Sequence, residues 1–334
     1  MQDPAALHAS LLTLDTHVDI PWPGGPGPFA PGPRRVDFPK MQAGGLRAVC
    51  FAAYTPQGPR TPEGFAAATE RALAMLGAIR ATAEGPATLA TTTAQIQAAH
   101  ADGRLAVIPC IENGHAIGED LALLARFRAQ GAVYLTLCHN GHNALCDSSN
   151  PRSDLGDAAA LHGGLSELGR AAIAEMNRLG LLVDISHASP QAALQAAMLS
   201  KTPVLATHSC IRALCDNVRN VDDLMLDALR DCEGMVNITA VPVFLKPGAR
   251  ADAVTVSDYA DHIDYAVRRI GLAHVGISSD FDGGGGFTGW HDASESPNLT
   301  AELVARGYGA HEIEALWGGN FLRLLARAEA HADA

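Results

Sequence analysis

The chain is 334 residues long, 48% hydrophobic and 18% charged, a composition that supports a large buried core and excludes disorder. Its 36 acidic against 24 basic residues leave a net charge of −12, which argues against nucleic-acid or anionic-membrane partners, since both need a basic face. No segment reaches the roughly 18 apolar residues of a membrane span, and residues 1–10 carry no basic stretch leading into an apolar one, so a cytoplasmic chain without leader or anchor is expected.

Taken in order, a strand run at 11–19 gives way to a Pro/Gly-dense loop at 21–33. A second strand, 46–53, precedes helices at 63–81 and 93–101. A third, 105–111, precedes a helix at 121–129. A fourth, 132–137, runs into a loop at 140–164 rich in Asn, Ser, Asp and Gly. Helix 165–179 leads to a fifth strand, 181–186, and helix 190–199 to a sixth, 204–207. Helix 222–230 leads to a seventh, 234–241, and helix 256–270 to an eighth, 275–279. A glycine run at 283–286 and a helical tail over 311–330 complete the chain. Ser166 and Ser189-Pro190 supply helix starts, and Gly180 a stop. Eight strands alternating with helices predict a (β/α)8 barrel, one domain over 1–334, with its site at the C-terminal ends of the strands. An open doubly wound sheet is the competitor, but no GxGxxG follows the first strand. The seven cysteines form no CxxC pair, and Cys50, Cys110 and Cys138 fall in apolar runs as reduced, packed thiols.

The apolar strands end in polar residues of metal-binding type. His17 and Asp19 close the first strand, where i, i+2 spacing puts both on one face, expected toward the barrel axis. Glu112 closes the third, His139 the fourth, His187 the fifth, His208 the sixth and Asp280 the eighth. A single histidine among 14 is more often a surface or hydrogen-bonded core residue. Six of eight strands ending this way would cost several kcal/mol per unpartnered group, so a metal site is the economical explanation. Imidazole and carboxylate without thiolate suit Zn2+ first, with Mn2+ or Co2+ open. The five candidates His17, Asp19, Glu112, His187 and His208 exceed one four-coordinate ion with an open position, which predicts two ions per chain. Lys40, Lys201 and Lys246 end no strand, so a lysine-derived bridge is not available, whereas Glu112 has two oxygens to divide between two ions.

Seven motifs occur in order: Asp15-Thr16-His17-Val18-Asp19-Ile20-Pro21-Trp22; Phe38-Pro39-Lys40 through Tyr54-Thr55-Pro56; Glu112-Asn113-Gly114-His115; Tyr134-Leu135-Thr136-Leu137-Cys138-His139-Asn140; Asp184-Ile185-Ser186-His187-Ala188-Ser189; Thr207-His208-Ser209 through Arg219-Asn220-Val221; and Ser279-Asp280-Phe281-Asp282-Gly283. Through them nearly the whole chain resembles the membrane (renal-type) dipeptidases, zinc peptidases of the metal-dependent amidohydrolase superfamily. The resemblance implies that His17 and Asp19 hold one zinc, His187 and His208 the other, and that Glu112 bridges them. It implies that His139 contacts substrate and steadies the tetrahedral intermediate, that Arg219 pairs with the substrate's free carboxylate, and that Asp280 handles protons. Strand spacing alone does not choose Asp280 over Asp282. The reaction implied is attack on the peptide bond of a free dipeptide by a metal-bridging hydroxide, with tolerance of a D-residue at the second position.

The chain departs from the family at Asn113, where glycine is usual, at Leu145-Cys146, where animal enzymes have an aromatic, in the short loop after the first strand, and in the segment 237–241, which lacks aromatics. These departures are expected on the pocket walls and bear on side-chain preference. Animal relatives are secreted and lipid-anchored, whereas neither signal is expected for this chain. The expected partners are small dipeptides, with no nucleic acid and no membrane, and a homodimer is allowed. Another amidohydrolase (lactonase, N-acyl-amino-acid deacylase or deaminase) would share the metals without needing Arg219, and a non-catalytic ligand-binding barrel is expected to have lost ligands. A serine nucleophile lacks its GxSxG elbow.

Overall fold

The computed structural model describes residues 3–20 and 24–332, so Pro21 and Trp22 at the end of the first motif, and the start of the 21–33 loop, lie outside the described residues. Nine strands form one parallel sheet: β1 (Leu14–Asp19), β2 (Ala48–Tyr54), β3 (Ala87–Leu89), β4 (Leu105–Glu112), β5 (Tyr134–Thr136), β6 (Leu182–Asp184), β7 (Val204–Ser209), β8 (Met235–Ile238) and β9 (Val275–Ile277). The order is β1-β2-β4-β5-β6-β7-β8-β9, with β3 an extra strand paired only to β4. The eight-stranded path closes just beyond β9, where Asp280 N–H donates to the His17 carbonyl and Asp19 N–H to the Phe281 carbonyl, both at 3.0 Å. This is the expected barrel, and its seam lies at the candidate site.

Polar caps start the helices. Thr61, Thr92, Ser166, Ser189, Asp222 and Thr255 each accept a backbone amide in the first turn of the helix that follows. Helices Thr93–Ala101, Pro190–Leu199 and Val256–Ile270 fall at their expected bounds. Strands β5, β6 and β9 are shorter than their apolar runs. Ala132, Val133, Leu137 and Cys138 are buried just outside the regular strand, although the Val133 and Leu137 amides still donate to the Pro109 and Asp184 carbonyls of the neighbouring strands. Helices Pro4–Ser10, Phe38–Ala43 and Pro242–Leu245 were not expected, being too short to show a period, and Pro297–Ala305 was not expected either. The caps Asp3 and Asp37, each with a proline in the first helical turn, are a signal for two of them. The tail is likewise not one helix. Ala310–Glu314 and Asn320–Ala332 flank a π-helical turn at Ala315–Gly319. Gly318 there lies so close to the chain before β1 that a Cβ would stand 2.7 Å from the Leu12 carbonyl oxygen.

Inside the barrel the side chains stack in layers. Leu14, Cys50, Ile108, Cys110, Leu182, Leu205 and Met235 share one apolar cluster, while their strand neighbours Val49, Phe51, Val107, Val183, Ala206 and Val236 join the outer core beneath the helices. Above the inner cluster comes a hydrogen-bonded polar layer. Asp184 accepts from the hydroxyls of Thr136 (2.5 Å) and Thr207 (2.7 Å) and from the amides of Ser186 and Thr207. The Thr16 hydroxyl donates to the Thr207 carbonyl at 2.9 Å. The candidate ligands form the next layer.

Candidate metal centre

One ligand, Glu112, is set by alternation together with the wall residue Tyr54, and two are set by its interruption. In β2 and β4, Tyr54 and Glu112 have the same parity as Cys50, Ile108 and Cys110, so they point inward like them. In β1, alternation from Leu14 would turn His17 outward, but the register shifts between Asp15 and Val18. A second shift, between Ala206 and Ser209 of β7, does the same for His208. Each bulge re-aims one imidazole into the barrel mouth. His187 and Asp280, just past β6 and β9, sit at φ of +67° and +56°, a left-handed conformation that non-glycine residues adopt at a cost.

The outward nitrogens of three histidines are tied down. His17 Nδ1 lies 2.8 Å from the Tyr134 hydroxyl, which itself donates to the Thr16 carbonyl and therefore accepts from the ring. His208 Nδ1 lies 2.8 Å from Thr207 Oγ1, whose proton goes to Asp184. His187 Nδ1 lies 3.1 Å from Asn140 Oδ1, an acceptor. In all three rings Nδ1 carries the proton, so the neutral ring presents an Nε2 lone pair to the centre. There His187 Nε2 and His208 Nε2 are 2.9 Å apart with no proton to share, and His17 Nε2 is buried without a partner. Glu112 stands between them. Its Oε2 is 3.6 Å from His17 Nε2, and its Oε1 is 3.2 Å from His187 Nε2 and 3.4 Å from His208 Nε2. Facing lone pairs with a carboxylate between them repel one another and are reconciled by a cation. The donor set therefore fits zinc.

Electrostatics agree. Burial alone would raise the Glu112 carboxyl, but the attraction of the imidazoles around it, His17 above all, holds it well below its ordinary range. Burial would lower His17, yet Glu112 holds it up at about 10: the Nε2 lone pair draws a positive charge beside Glu112, and a metal there would take the place of the proton. Burial pushes His208 down to about 3 and keeps His187 well below its usual value. It pushes Asp280 up to about 7 and Asp19 well above the carboxylate range. Asp19 Oδ1 is buried with no donor.

Nitrogen and oxygen donors of His17, Glu112 and His208 all lie within 4.8 Å of one another, as do those of Glu112, His139 and His187. Glu112 is common to both groups. Asp19 joins neither; it lines the cavity beside them. His139 Nε2 is 3.9 Å from Glu112 Oε1, its ring packs 4.1 Å from that of His187, and its carbonyl accepts from the Ser148 hydroxyl.

The centre forms the floor of a cavity of about 530 Å3, whose walls include Tyr54, His139, Arg219, Phe244 and Asp280. Arg219 is buried, its Nη2 donates to the His208 carbonyl at 3.2 Å, and its Nε has no partner. No described carboxylate lies within ion-pair distance of it, so the cavity has a desolvated guanidinium in want of an anion. Asp280 and Asp282 are now distinguishable. Asp280 lines the cavity, whereas Asp282 accepts from the amides of Arg35 (2.8 Å) and Val36 (3.3 Å) and anchors a loop. Another cavity of about 450 Å3, lined by Lys201, Thr202, Glu233 and Arg327, lies at the opposite end of the barrel, away from these donors.

Several contributors were not singled out from sequence. Tyr134, Thr207 and Asn140 orient the imidazoles, and their polar atoms inside apolar or loop segments were the available signal. In the 140–164 loop, Asp147 accepts from the amides of Leu161, His162 and Gly164, and Asp157 binds the amides of His142 and Arg152 and the Arg60 guanidinium. These two carboxylates give the loop its order.

The departures from the family need a correction, because Leu145 and Cys146 are core residues rather than pocket wall. Asn113 is also buried, at φ +85° and ψ 106°, a conformation suited to glycine. Its side chain offsets that strain by bonding Thr55 O, Gln57, His115 N and Asn143 at 3.0–3.3 Å. Asn113→Ala is expected to lower stability by about 2–4 kcal/mol, measured by denaturant unfolding, because the strain stays and the bonds go. Asn113→Gly should cost less.

The comparisons with known proteins bear on this centre. A family model described as membrane dipeptidase (peptidase family M19) matches residues 1–334. The dipeptidase aclJ of Aspergillus oryzae is 38% identical over 231 residues, covering 69% of this chain and 53% of the relative. Dipeptidase 3 of Rattus norvegicus is 34% identical over 232 residues, covering 68% and 46%. The chain thus spans about half the length of the curated relatives it matches. Among solved structures, the probable dipeptidase PvdM from Pseudomonas aeruginosa superposes with a TM-score of 0.92 at 28% identity, covering 98% of each chain. A metallo peptidase from Rhodobacter sphaeroides, liganded with a phosphinate mimic of the dipeptide L-Ala-D-Ala, superposes with a TM-score of 0.82 at 27% identity, covering 95% of this chain and 99% of that one. The barrel, the strand-end histidines around Glu112 and the full-length match all lead to one assignment: the chain belongs to the membrane dipeptidase family, peptidase family M19.

Proposed function

We propose that this protein is a binuclear zinc dipeptidase acting on free dipeptides, with either an L- or a D-residue in second place. The observation that carries the reading is the pairing of three inward Nε2 atoms around Glu112 with a buried, unpaired Arg219 on the wall of the same cavity. The D-residue is supported by the L-Ala-D-Ala mimic on the Rhodobacter relative. His17 and Asp19 would hold one ion, His187 and His208 the other, and Glu112 both, since its two oxygens face different histidines. Bound zinc would supply water acidic enough to be a nucleophile at neutral pH and would polarise the scissile carbonyl.

This chain's own groups do the rest. Arg219 grips the C-terminal carboxylate by charge-assisted hydrogen bonds. Because it also touches the His208 carbonyl, the distance from carboxylate to ligand layer is short, which restricts the cut to the peptide bond next to the free C-terminus. His139 donates toward the carbonyl oxygen as negative charge develops there. Asp280 takes the proton of the attacking water and passes it to the leaving amine.

The test is metal content of the reconstituted protein together with hydrolysis of a small L,L and L,D dipeptide panel. Two zinc ions per chain and hydrolysis in the panel are expected; one ion or none, or no hydrolysis, would overturn the reading. His139→Ala should lower kcat by roughly a hundred- to a thousand-fold with two ions still bound. Loss of an ion from that variant would make His139 a ligand, a role its place beside Glu112 and His187 makes worth measuring.

A further inference from the structure

We infer that the cavity wall around Arg219 is an apolar subsite for the side chain of the substrate's C-terminal residue, so that dipeptides ending in an apolar residue are preferred. This rests on the dipeptidase reading and adds to it a substrate class. The cavity lining is divided by chemistry: imidazoles and carboxylates surround the centre, whereas Val218, Val241 and Phe244 belong to the Arg219 segment or to the turn packed against it. The Phe244 ring stands 5.4 Å from the Arg219 guanidinium carbon, so ring and cation share one wall. Val218, next to Arg219 in the chain, is 50% exposed, an apolar side chain left open at a cavity that bears a cation.

The wall is built rather than loose. Asn220 Nδ2 donates to the carbonyls of Cys215 and Phe244, both at 2.8 Å, which ties the helix Pro242–Leu245 to the Arg219 segment. Asn217 accepts from the Arg219 amide at 2.9 Å and donates to the Val243 carbonyl at 3.3 Å. A carboxylate on Arg219 fixes the Cα of its own residue one bond away. The side chain from that Cα then lies within reach of Phe244 and Val218, and covering them removes apolar surface from water.

The experiment compares kcat/KM of the zinc-loaded protein for Ala-Leu and Ala-Phe against Ala-Gly and Ala-Asp. It also compares binding of N-acetylleucine and N-acetylglycine by calorimetry, which needs no hydrolysis. An apolar preference of at least about ten-fold is expected in both measurements. Val218→Asp at the rim and Phe244→Ser should each bring the ratio toward one. A flat or acid-preferring profile, or a preference that both variants leave intact, would overturn the subsite. Failure to hydrolyse any dipeptide, with the N-acetylleucine preference retained, would sink the dipeptidase reading and leave the subsite standing.

Discussion

Glu112→Gln should strip the centre of at least one of the two ions proposed for it and lower turnover by at least about a thousand-fold, equivalent to about 4 kcal/mol of transition-state stabilisation. The substitution is close to isosteric, so packing in a fully buried position is preserved. What changes is charge: one carboxylate oxygen faces His17 and the other faces His187 and His208, and an amide offers one acceptor in place of two. Two cations held close together without an anion between them repel, so both affinities suffer. Elemental analysis gives the direct reading, and thermal unfolding with and without zinc gives an independent one. The wild type should gain stability on zinc addition, whereas the variant should gain little. Full zinc occupancy in Glu112→Gln would remove Glu112 from the bridging role.

Arg219→Met should lower kcat/KM for free dipeptides by roughly ten- to a hundred-fold, the worth of a charge-assisted contact of about 1.5–3 kcal/mol. On dipeptide amides, which have no carboxylate to lose, the variant should be much closer to wild type. The ratio is the decisive quantity, because Arg219 also supports the His208 carbonyl and its loss affects every substrate alike through that contact. An unchanged ratio of free to amidated activity would show that Arg219 reads no carboxylate. The dipeptidase reading would then lose the feature that separates it from a general amidohydrolase.

Much of this was legible in the chain itself. Alternating apolar runs and capped helices specify the barrel because burial has a period of two in strands and a longer one in helices, and caps such as Thr92, Ser189 and Thr255 mark starts by satisfying free amides. Polar residues at the ends of apolar strands specify the site, since a barrel strand of known direction delivers its last residue to the mouth. That is how His17, Glu112, His139, His187, His208 and Asp280 could be named before their geometry was known.

Other features depend on contacts between distant parts of the chain and have no local signature. The i, i+2 rule pairs His17 with Asp19 on one face, but it does not say which face. Register shifts in β1 and β7 turn His17 and His208 inward, and a register is a property of two strands together. The protons on the imidazoles are set by Tyr134, Thr207 and Asn140, two of which come from other elements of the barrel. Strand spacing did not separate Asp280 from Asp282; the physical difference is that the amides of Arg35 and Val36, some 250 residues earlier, engage Asp282 and leave Asp280 on the cavity. The sequence by itself determined which side chains could bind a metal and at which end of the barrel they gather. The tertiary structure alone decided which atoms face inward and with which proton, because those depend on hydrogen bonds closed across the barrel rather than along the chain.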